Sequence, residues 1–300
     1  MVIDIHRHFW RGNQRYYDAA SSAEAAAPAP PDWEETTREL VEEMDASGVD
    51  VSAMLVADYG DRLGTPHFTI DQENWILAQA RARHPERIVA FYGIDPRRPG
   101  APEKFERAIQ EWGAGGIKLH STVGYFPHDR ACYPIYEICI KHDVPVLHHS
   151  GERFHPLLYS RFTHPLEFDQ VAVDFPRLKM IMGHAGGQWW ADCATIARVH
   201  ENVVVDLSEW QTKLRDKPAE TLAALDHMRD FLGTERILWG TDFPHMRQHM
   251  SLKDTVDIYR GLPALAHEHG YRFTEGEVEA VLGGNAARVL GLRVVQRSTG

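Results

Sequence analysis

Eight short runs of large apolar residues recur along the chain, and this repetition constrains its fold more than any other feature. Each run consists mainly of β-branched or large apolar residues, is too short for a helix and often ends in Gly, Asp, Ser or His, as buried strands do. The predicted strands are residues 2–9, 51–57, 88–95, 116–121, 145–151, 178–186, 203–209 and 237–245.

Segments with helical spacing of apolar positions separate these strands. The predicted helices are residues 33–46, 72–83, 102–112, 133–142, 165–174, 188–200 and 218–232. Such alternation is typical of parallel strands joined by crossover helices. Eight repeats favour a closed (β/α)₈ TIM barrel over an open doubly wound sheet. A Rossmann-type sheet would also need a Gly-x-Gly-x-x-Gly motif after its first strand, and the sequence has none there.

Two segments depart from the repeat. Residues 15–33, rich in Ala and then Pro, form a predicted insertion after the first strand. We expect a surface loop over the barrel mouth, with a cover over the site as the alternative. Residues 274–290 are a predicted closing helix, in which Thr274-Glu275-Gly276-Glu277 resembles a capping box one residue out of its best match. We expect one domain over residues 1–300, with residues 291–300 as a tail.

Charge and cysteine content exclude several classes of protein. The 32 basic and 43 acidic residues give a net charge of -11, which repels nucleic-acid phosphates and anionic membrane surfaces. The three cysteines form no Cys-x-x-Cys pair, and the sequence shows neither a membrane-spanning apolar stretch nor a secretory signal. We therefore expect a cytoplasmic protein that binds a small-molecule substrate, with no nucleic-acid or membrane partner.

Reactive side chains stand at or near the ends of five predicted strands. On the first strand, His6 and His8 are two residues apart, so both imidazoles point to the same side and can bind one metal ion. A barrel brings the carboxyl ends of all its strands to one face, so further groups should join this pair. These groups are Lys118, His120, His149, His184 and Asp242. A lone histidine is usually a surface or core residue, but chance does not explain the whole set.

Four motifs extend this pattern: Ile3-Asp4-Ile5-His6-Arg7-His8, Pro145-Val146-Leu147-His148-His149-Ser150-Gly151, Gly183-His184-Ala185-Gly186-Gly187 and Gly240-Thr241-Asp242-Phe243-Pro244. In order and spacing they resemble the amidohydrolase superfamily, specifically the amidohydrolase-related branch that includes aminocarboxymuconate semialdehyde decarboxylase. The resemblance implies that His6, His8, His149 and Asp242 bind one divalent metal, usually Zn²⁺, and its water. It also implies that His184 is the catalytic acid or base, that Asp242 hydrogen-bonds the same water, and that a homodimer is plausible.

Lys118 leaves two arrangements open. In one, a single metal is bound and Lys118 is a cation near the mouth of the site that holds a substrate carboxylate. In the other, which resembles binuclear members of the superfamily, a carbamylated Lys118 bridges two metals. We prefer the single metal. The other predicted substrate-binding residues are His120, Arg7, Arg153 and His245.

The sequence does not separate two reactions cleanly. We favour a hydrolase that uses a metal-activated water and a histidine acid or base on a small cyclic lactone or amide, or on a carboxylated substrate. The alternative is a non-oxidative, metal-dependent decarboxylase of an aromatic or ene carboxylate. A non-catalytic binding protein is a remote third hypothesis, because every predicted ligand position is filled.

Overall fold

Eight parallel strands form a barrel in this computed structural model, which describes residues 1–10, 15–17 and 29–293. Each strand pairs with the next one along the chain. The strands are β1 (Ile3–His8), β2 (Val51–Leu55), β3 (Ile88–Gly93), β4 (Gly116–Leu119), β5 (Val146–His148), β6 (Met180–Met182), β7 (Val203–Asp206) and β8 (Ile237–Leu238).

Backbone hydrogen bonds between the last and first strands close the barrel. The amide of Ile5 donates to the Trp239 carbonyl at 3.2 Å, and the Asp242 amide donates to the His6 carbonyl at 2.8 Å. Helices alternate with the strands, so the predicted (β/α)₈ TIM barrel is confirmed.

The helices are α1 (Trp33–Ser47), α2 (Ile70–Arg83), α3 (Ala101–Trp112), α4 (Tyr133–Lys141), α5 (Asp169–Asp174), α6 (Trp190–Val199), α7 (Trp210–Asp216), α8 (Pro218–Leu232), α9 (Leu252–Arg260), α10 (Leu262–Glu268), α11 (Glu275–Glu279) and α12 (Asn285–Leu290). All seven predicted helices are present, although a 3₁₀ turn takes up the first part of the fifth. The sequence analysis missed α7, α9 and α10.

The last two helices close the amino-terminal end of the barrel. A π-helical turn, Ala280–Gly284, joins α11 to α12, and the Trp239 amide donates to Val281 within it at 3.0 Å. Ala286 and Val289 of α12 pack in the same buried cluster as Ile3 of β1. The capping box at Thr274 is in its best register, with both reciprocal bonds to Glu277 formed, so the predicted offset of one residue was wrong.

A β-bulge in β1 turns the metal-binding candidates inward. Ile3 pairs with Val51, but Arg7 pairs with Met54, so β1 contains one residue more than β2 over this stretch. Ile5 lies in the cluster that fills the barrel, and His6, the next residue, contacts interior side chains as well. Bulges of this kind are frequent beside active sites because they redirect side chains.

The insertion and the tail lie partly outside the described residues. Of the predicted insertion at 15–33, the structure describes 15–17 and 29–33, and Tyr16–Tyr17 pairs antiparallel with Thr65–Pro66. Of the tail at 291–300, it describes only 291–293. None of the helices in the described ranges has the length and apolar character to cross a membrane.

Candidate active site

Histidine, lysine and carboxylate side chains meet inside the carboxyl end of the barrel. His6 and His8 end β1, Lys118 is on β4, and His149 follows β5 directly. His184 and Asp242 follow β6 and β8 in tight turns. All six residues are buried. The barrel therefore brings the predicted metal ligands and the predicted acid or base into one region.

Three of these side chains form the tightest group of donor atoms. One donor atom each from His6, His184 and Asp242 lies within 4.8 Å of the other two. His8 adjoins this set, because its Nε2 lies 3.2 Å from Asp242 Oδ1. Two or three imidazoles with one carboxylate are typical ligands of a divalent metal ion, so the donor set fits such an ion.

His149 lies outside this three-residue set, next to the ring of His184. Its Nδ1 is 3.1 Å from His184 Nε2, and its Nε2 is 3.1 Å from the Glu152 carbonyl oxygen. The ring of His120 stacks on it at a centroid distance of 4.2 Å. In this arrangement His184, rather than His149, completes the three-residue set, and His149 as a ligand stays a prediction.

Burial keeps the histidines neutral. It lowers the pKa of His6, His8 and His184 well below the ordinary value, and lowers that of His149 to about 3. Only a neutral imidazole has the lone pair that a metal needs. Burial also raises the pKa of Asp242 to about 6 in the absence of a metal.

The sequence analysis expected Lys118 near the mouth of the site. The structure places it deep inside the site instead. The residue is 1% exposed, and its Nζ is 3.2 Å from His6 Nε2. Burial lowers its pKa to about 8, while the Asp206 and Asp242 carboxylates oppose that shift.

Asp206 and Ser208 support the imidazoles, and the sequence analysis missed both. Asp206 Oδ2 is 2.9 Å from His6 Nδ1, and Asp206 Oδ1 accepts from Ser208 Oγ at 2.5 Å. Ser208 Oγ is in turn 2.9 Å from His184 Nδ1. A carboxylate on the far nitrogen of a histidine fixes the tautomer whose other nitrogen can bind a metal. The signal was the alternation of Val204, Asp206 and Ser208, which matches that of His6 and His8.

Strained backbone shapes the ends of the strands. His184 and Asp242 have φ values of 58° and 59°, and Glu209, which follows β7, has a φ of 68°. Residues other than glycine adopt this left-handed conformation infrequently, although Asn, Asp and His do so more often than the rest, and such residues cluster at functional sites. It also explains why the predicted strands extend several residues too far, since the strands end before these turns and the sequence pattern does not mark the turns.

A cavity of about 450 Å³ opens above the cluster. His8, His149, His184 and Asp242 line it, together with His120, Arg153, Glu209 and His245. Three predicted substrate-binding residues, His120, Arg153 and His245, therefore face the space that a substrate would occupy.

The substrate-binding prediction was wrong for Arg7. The outward side of β1 carries this side chain, and its Nη2 bonds to Glu43 Oε2 on α1 at 2.5 Å. Arg247, on the turn after β8, bonds to the same carboxylate oxygen at 2.7 Å. Arg7 is fully buried and does not line the cavity, so its charge pairs with Glu43 between β1 and α1 and is not available to a substrate.

Residues 3–292 match the family model of the amidohydrolases. The chain belongs to the amidohydrolase family. It is therefore an enzyme of this family, and the (β/α)₈ barrel, the polar cluster and the cavity are those of a metal-dependent hydrolase or carboxy-lyase. No curated protein matches the chain significantly in sequence.

Several solved structures are similar to this amidohydrolase along its length. 5-Carboxyvanillate decarboxylase from Sphingomonas paucimobilis is 19% identical, with a TM-score of 0.65 over 97% of this chain and 99% of its own. 4-Oxalomesaconate hydratase from Rhodopseudomonas palustris is 18% identical, with a TM-score of 0.61 over 97% and 96%.

A 5-carboxyvanillate decarboxylase from Novosphingobium aromaticivorans was solved with manganese and 4-hydroxy-3-methoxy-5-nitrobenzoic acid. It is 16% identical, with a TM-score of 0.63 over 97% of this chain and 96% of its own. Identities this low establish a shared fold and leave the reaction of this amidohydrolase open.

Proposed function

We propose that this amidohydrolase is a metal-dependent carboxy-lyase that removes carbon dioxide non-oxidatively from a small aromatic or ene carboxylate. Lys118 carries the proposal, because its amine is buried 3.2 Å from His6 Nε2. When its amine is protonated, Lys118 together with a divalent ion carries more positive charge than the Asp206 and Asp242 carboxylates offset. Such a site attracts an anionic substrate more strongly than a neutral lactone or amide. The decarboxylases among the similar structures support the same choice.

The proposed ligands are His6, His8, His149 and Asp242, with zinc or manganese as the ion. Zinc suits the imidazole-rich set, and manganese is the ion in one similar structure. When bound, the ion supplies Lewis-acid polarisation of a substrate oxygen. His184 lies close enough to His6 and Asp242 to be a ligand in place of His149. Measuring the metal content of a His184 variant tests this alternative.

The remaining chemistry belongs to side chains of the chain itself. Lys118, buried beneath the cavity, stabilises the substrate carboxylate through its charge. His184, which lines the cavity, takes a proton on Nε2 from solvent there and delivers it to the carbon that bears the carboxylate. The carbon–carboxylate bond then breaks, its electron pair returns to the ring or double bond, and carbon dioxide leaves. Ser208 holds His184 in place through Nδ1, at 2.9 Å.

Hydrolysis, which the sequence analysis favoured, is the second candidate. One observation favours it: Glu152, Glu209 and Asp242 all line the cavity, and carboxylates repel an anionic substrate. Burial and the neighbouring Asp242 raise the pKa of Glu209 to about 8, which weakens this repulsion near neutral pH.

The test is a parallel screen of protein loaded with zinc or with manganese. Aromatic and ene carboxylates are assayed for carbon dioxide release, and lactones and amides for hydrolysis. We expect release from at least one carboxylate, its loss on chelation, and at least about a hundredfold lower kcat/KM in Lys118→Met. The matched control is Lys179→Met, because Lys179 pairs with Asp143 on the surface. Hydrolysis of a lactone or amide with no release from any carboxylate would overturn the proposal in favour of the second candidate.

A further inference from the structure

A second, smaller cavity lies beside the first. Its volume is about 210 Å³, and four side chains line both cavities: His8, Tyr59, Phe154 and His245. The two spaces therefore share a wall at the metal-binding end of the barrel. A substrate whose reacting group lies in the main cavity has this side cavity directly next to it.

The walls of the side cavity are mostly apolar and aromatic. Trp10, Tyr16, Leu55, Val56 and Leu63 line it. The ring of Trp10 is held in place by stacking on Phe68, with centroids 5.5 Å apart and planes inclined by 23°. An apolar cavity of about 150 Å³ is sufficient to bind benzene. The side cavity is therefore large enough for one six-membered ring.

The charged residues in this wall neutralise each other. Arg15 Nε donates to Glu73 Oε1 at 2.8 Å, and Arg15 Nη2 lies 2.7 Å from Glu73 Oε2. Arg15 also donates to the carbonyl of Ala57, and both charged side chains are buried. A charged ligand group would have to compete with this bidentate pair, and removing one partner of a buried pair costs several kcal/mol. The wall thus favours an uncharged group.

We propose that the side cavity is a substrate subsite for an uncharged, planar ring. The inference rests on the proposed carboxy-lyase function, which concerns the reacting end of the substrate. It narrows the class of substrate. The substrate is then a carboxylate with a second, uncharged ring, and not a compact dicarboxylate.

Equilibrium binding to the metal-loaded protein tests this without turnover. The probes are benzoate, 3-phenylbenzoate and 3-(4-carboxyphenyl)benzoate, measured by titration calorimetry. We expect 3-phenylbenzoate to bind about tenfold to hundredfold more tightly than benzoate, because its second ring becomes buried. The second carboxylate of the third probe should remove most of that gain.

A variant that fills the side cavity provides the second part of the binding experiment. Leu63→Trp should abolish the advantage of 3-phenylbenzoate and leave the affinity for benzoate unchanged, which also shows that the protein is folded. The matched control is Asp61→Trp, which places the same side chain on the same exposed loop outside both cavities. If Leu63→Trp does not fold, Leu63→Phe takes its place.

The outcomes separate this inference from the proposed function. Equal affinity for benzoate and 3-phenylbenzoate in the wild type, including no binding of either at millimolar concentration, would overturn the subsite. So would an advantage that survives in Leu63→Trp. Ring-dependent binding in a protein that releases no carbon dioxide from any carboxylate would support the subsite while refuting the carboxy-lyase.

Discussion

Replacing Asp206 with Asn is expected to weaken metal binding while leaving the barrel folded. Asp206 is fully buried, and Oδ2 lies 2.9 Å from His6 Nδ1. Oδ1 accepts from the hydroxyl and amide of Ser208, at 2.5 and 2.9 Å. An asparagine has the same shape, but one oxygen becomes an NH₂ group that donates. If that group faces His6 Nδ1, the imidazole must carry its proton on Nε2, the nitrogen proposed to bind the metal.

The size of the effect follows from that tautomer change. Loss of the hydrogen-bond partner behind a metal-binding histidine lowers metal affinity by about 10- to 100-fold, or about 1.4 to 2.8 kcal/mol. Because the asparagine side chain would keep the volume and some of the accepted bonds, we expect a folded protein with a near-normal melting temperature when metal-free.

Competition with a chromogenic chelator, at fixed pH, measures the zinc affinity of the wild type and of Asp206→Asn. The matched control is Asp169→Asn, because Asp169 accepts from His200 Nε2 at 2.8 Å on the protein surface, away from the cluster. The control should bind zinc like the wild type. An unchanged zinc affinity in Asp206→Asn would refute the argument that Asp206 sets the His6 tautomer for metal binding.

Three further variants test other parts of the account. His184→Ala should keep its metal and lose about 10² to 10⁴ in turnover, as measured by elemental analysis and steady-state kinetics; loss of the metal would make His184 a ligand instead. Phe105→Ala leaves a cavity at a fully buried position on α3, so urea titrations should show a free energy of unfolding lower by about 3 to 5 kcal/mol. The control is Val173→Ala at a 60% exposed position, which should change the free energy of unfolding by less than about 0.5 kcal/mol. Gly93→Ala should prevent accumulation of soluble protein, since a Cβ there would lie 1.9 Å from the Val56 carbonyl oxygen, while Gly276→Ala meets no atom within 4 Å and should raise the melting temperature slightly.

The barrel could be predicted from sequence because its signal is repeated. Each of the eight strands has a short run of β-branched or large apolar residues, and errors at single boundaries do not change the count. The boundaries were less predictable, because strand periodicity does not show where the backbone turns left-handed, as it does at His184 and Asp242. Helices α9 and α10 follow β8, and α9 packs against α1 and α7. Both were missed because helices were sought only between the predicted strands and at the end of the chain.

The candidate site was predictable only where its residues stand at strand ends with an obvious chemistry. His6, His8, His184 and Asp242 meet as the barrel geometry requires. Arg7 was misassigned because alternation along β1 places it outside the barrel, next to Glu43. The depth of Lys118 depends on which side of β4 faces the interior, and a single lysine between Ile117 and Leu119 does not reveal that a histidine lies 3.2 Å from its amine.

Anomalous diffraction from crystals grown with zinc or manganese, recorded on both sides of the metal's absorption edge, tests the central claim most directly. The account predicts one anomalous peak per chain at the carboxyl end of the barrel, bound by His6, His8, His149 and Asp242, with nitrogens about 2.0 to 2.1 Å from the ion if it is zinc. Two peaks bridged by Lys118 would contradict the single-metal arrangement. A peak remote from these residues, or none in protein saturated with the metal, would contradict the account as a whole.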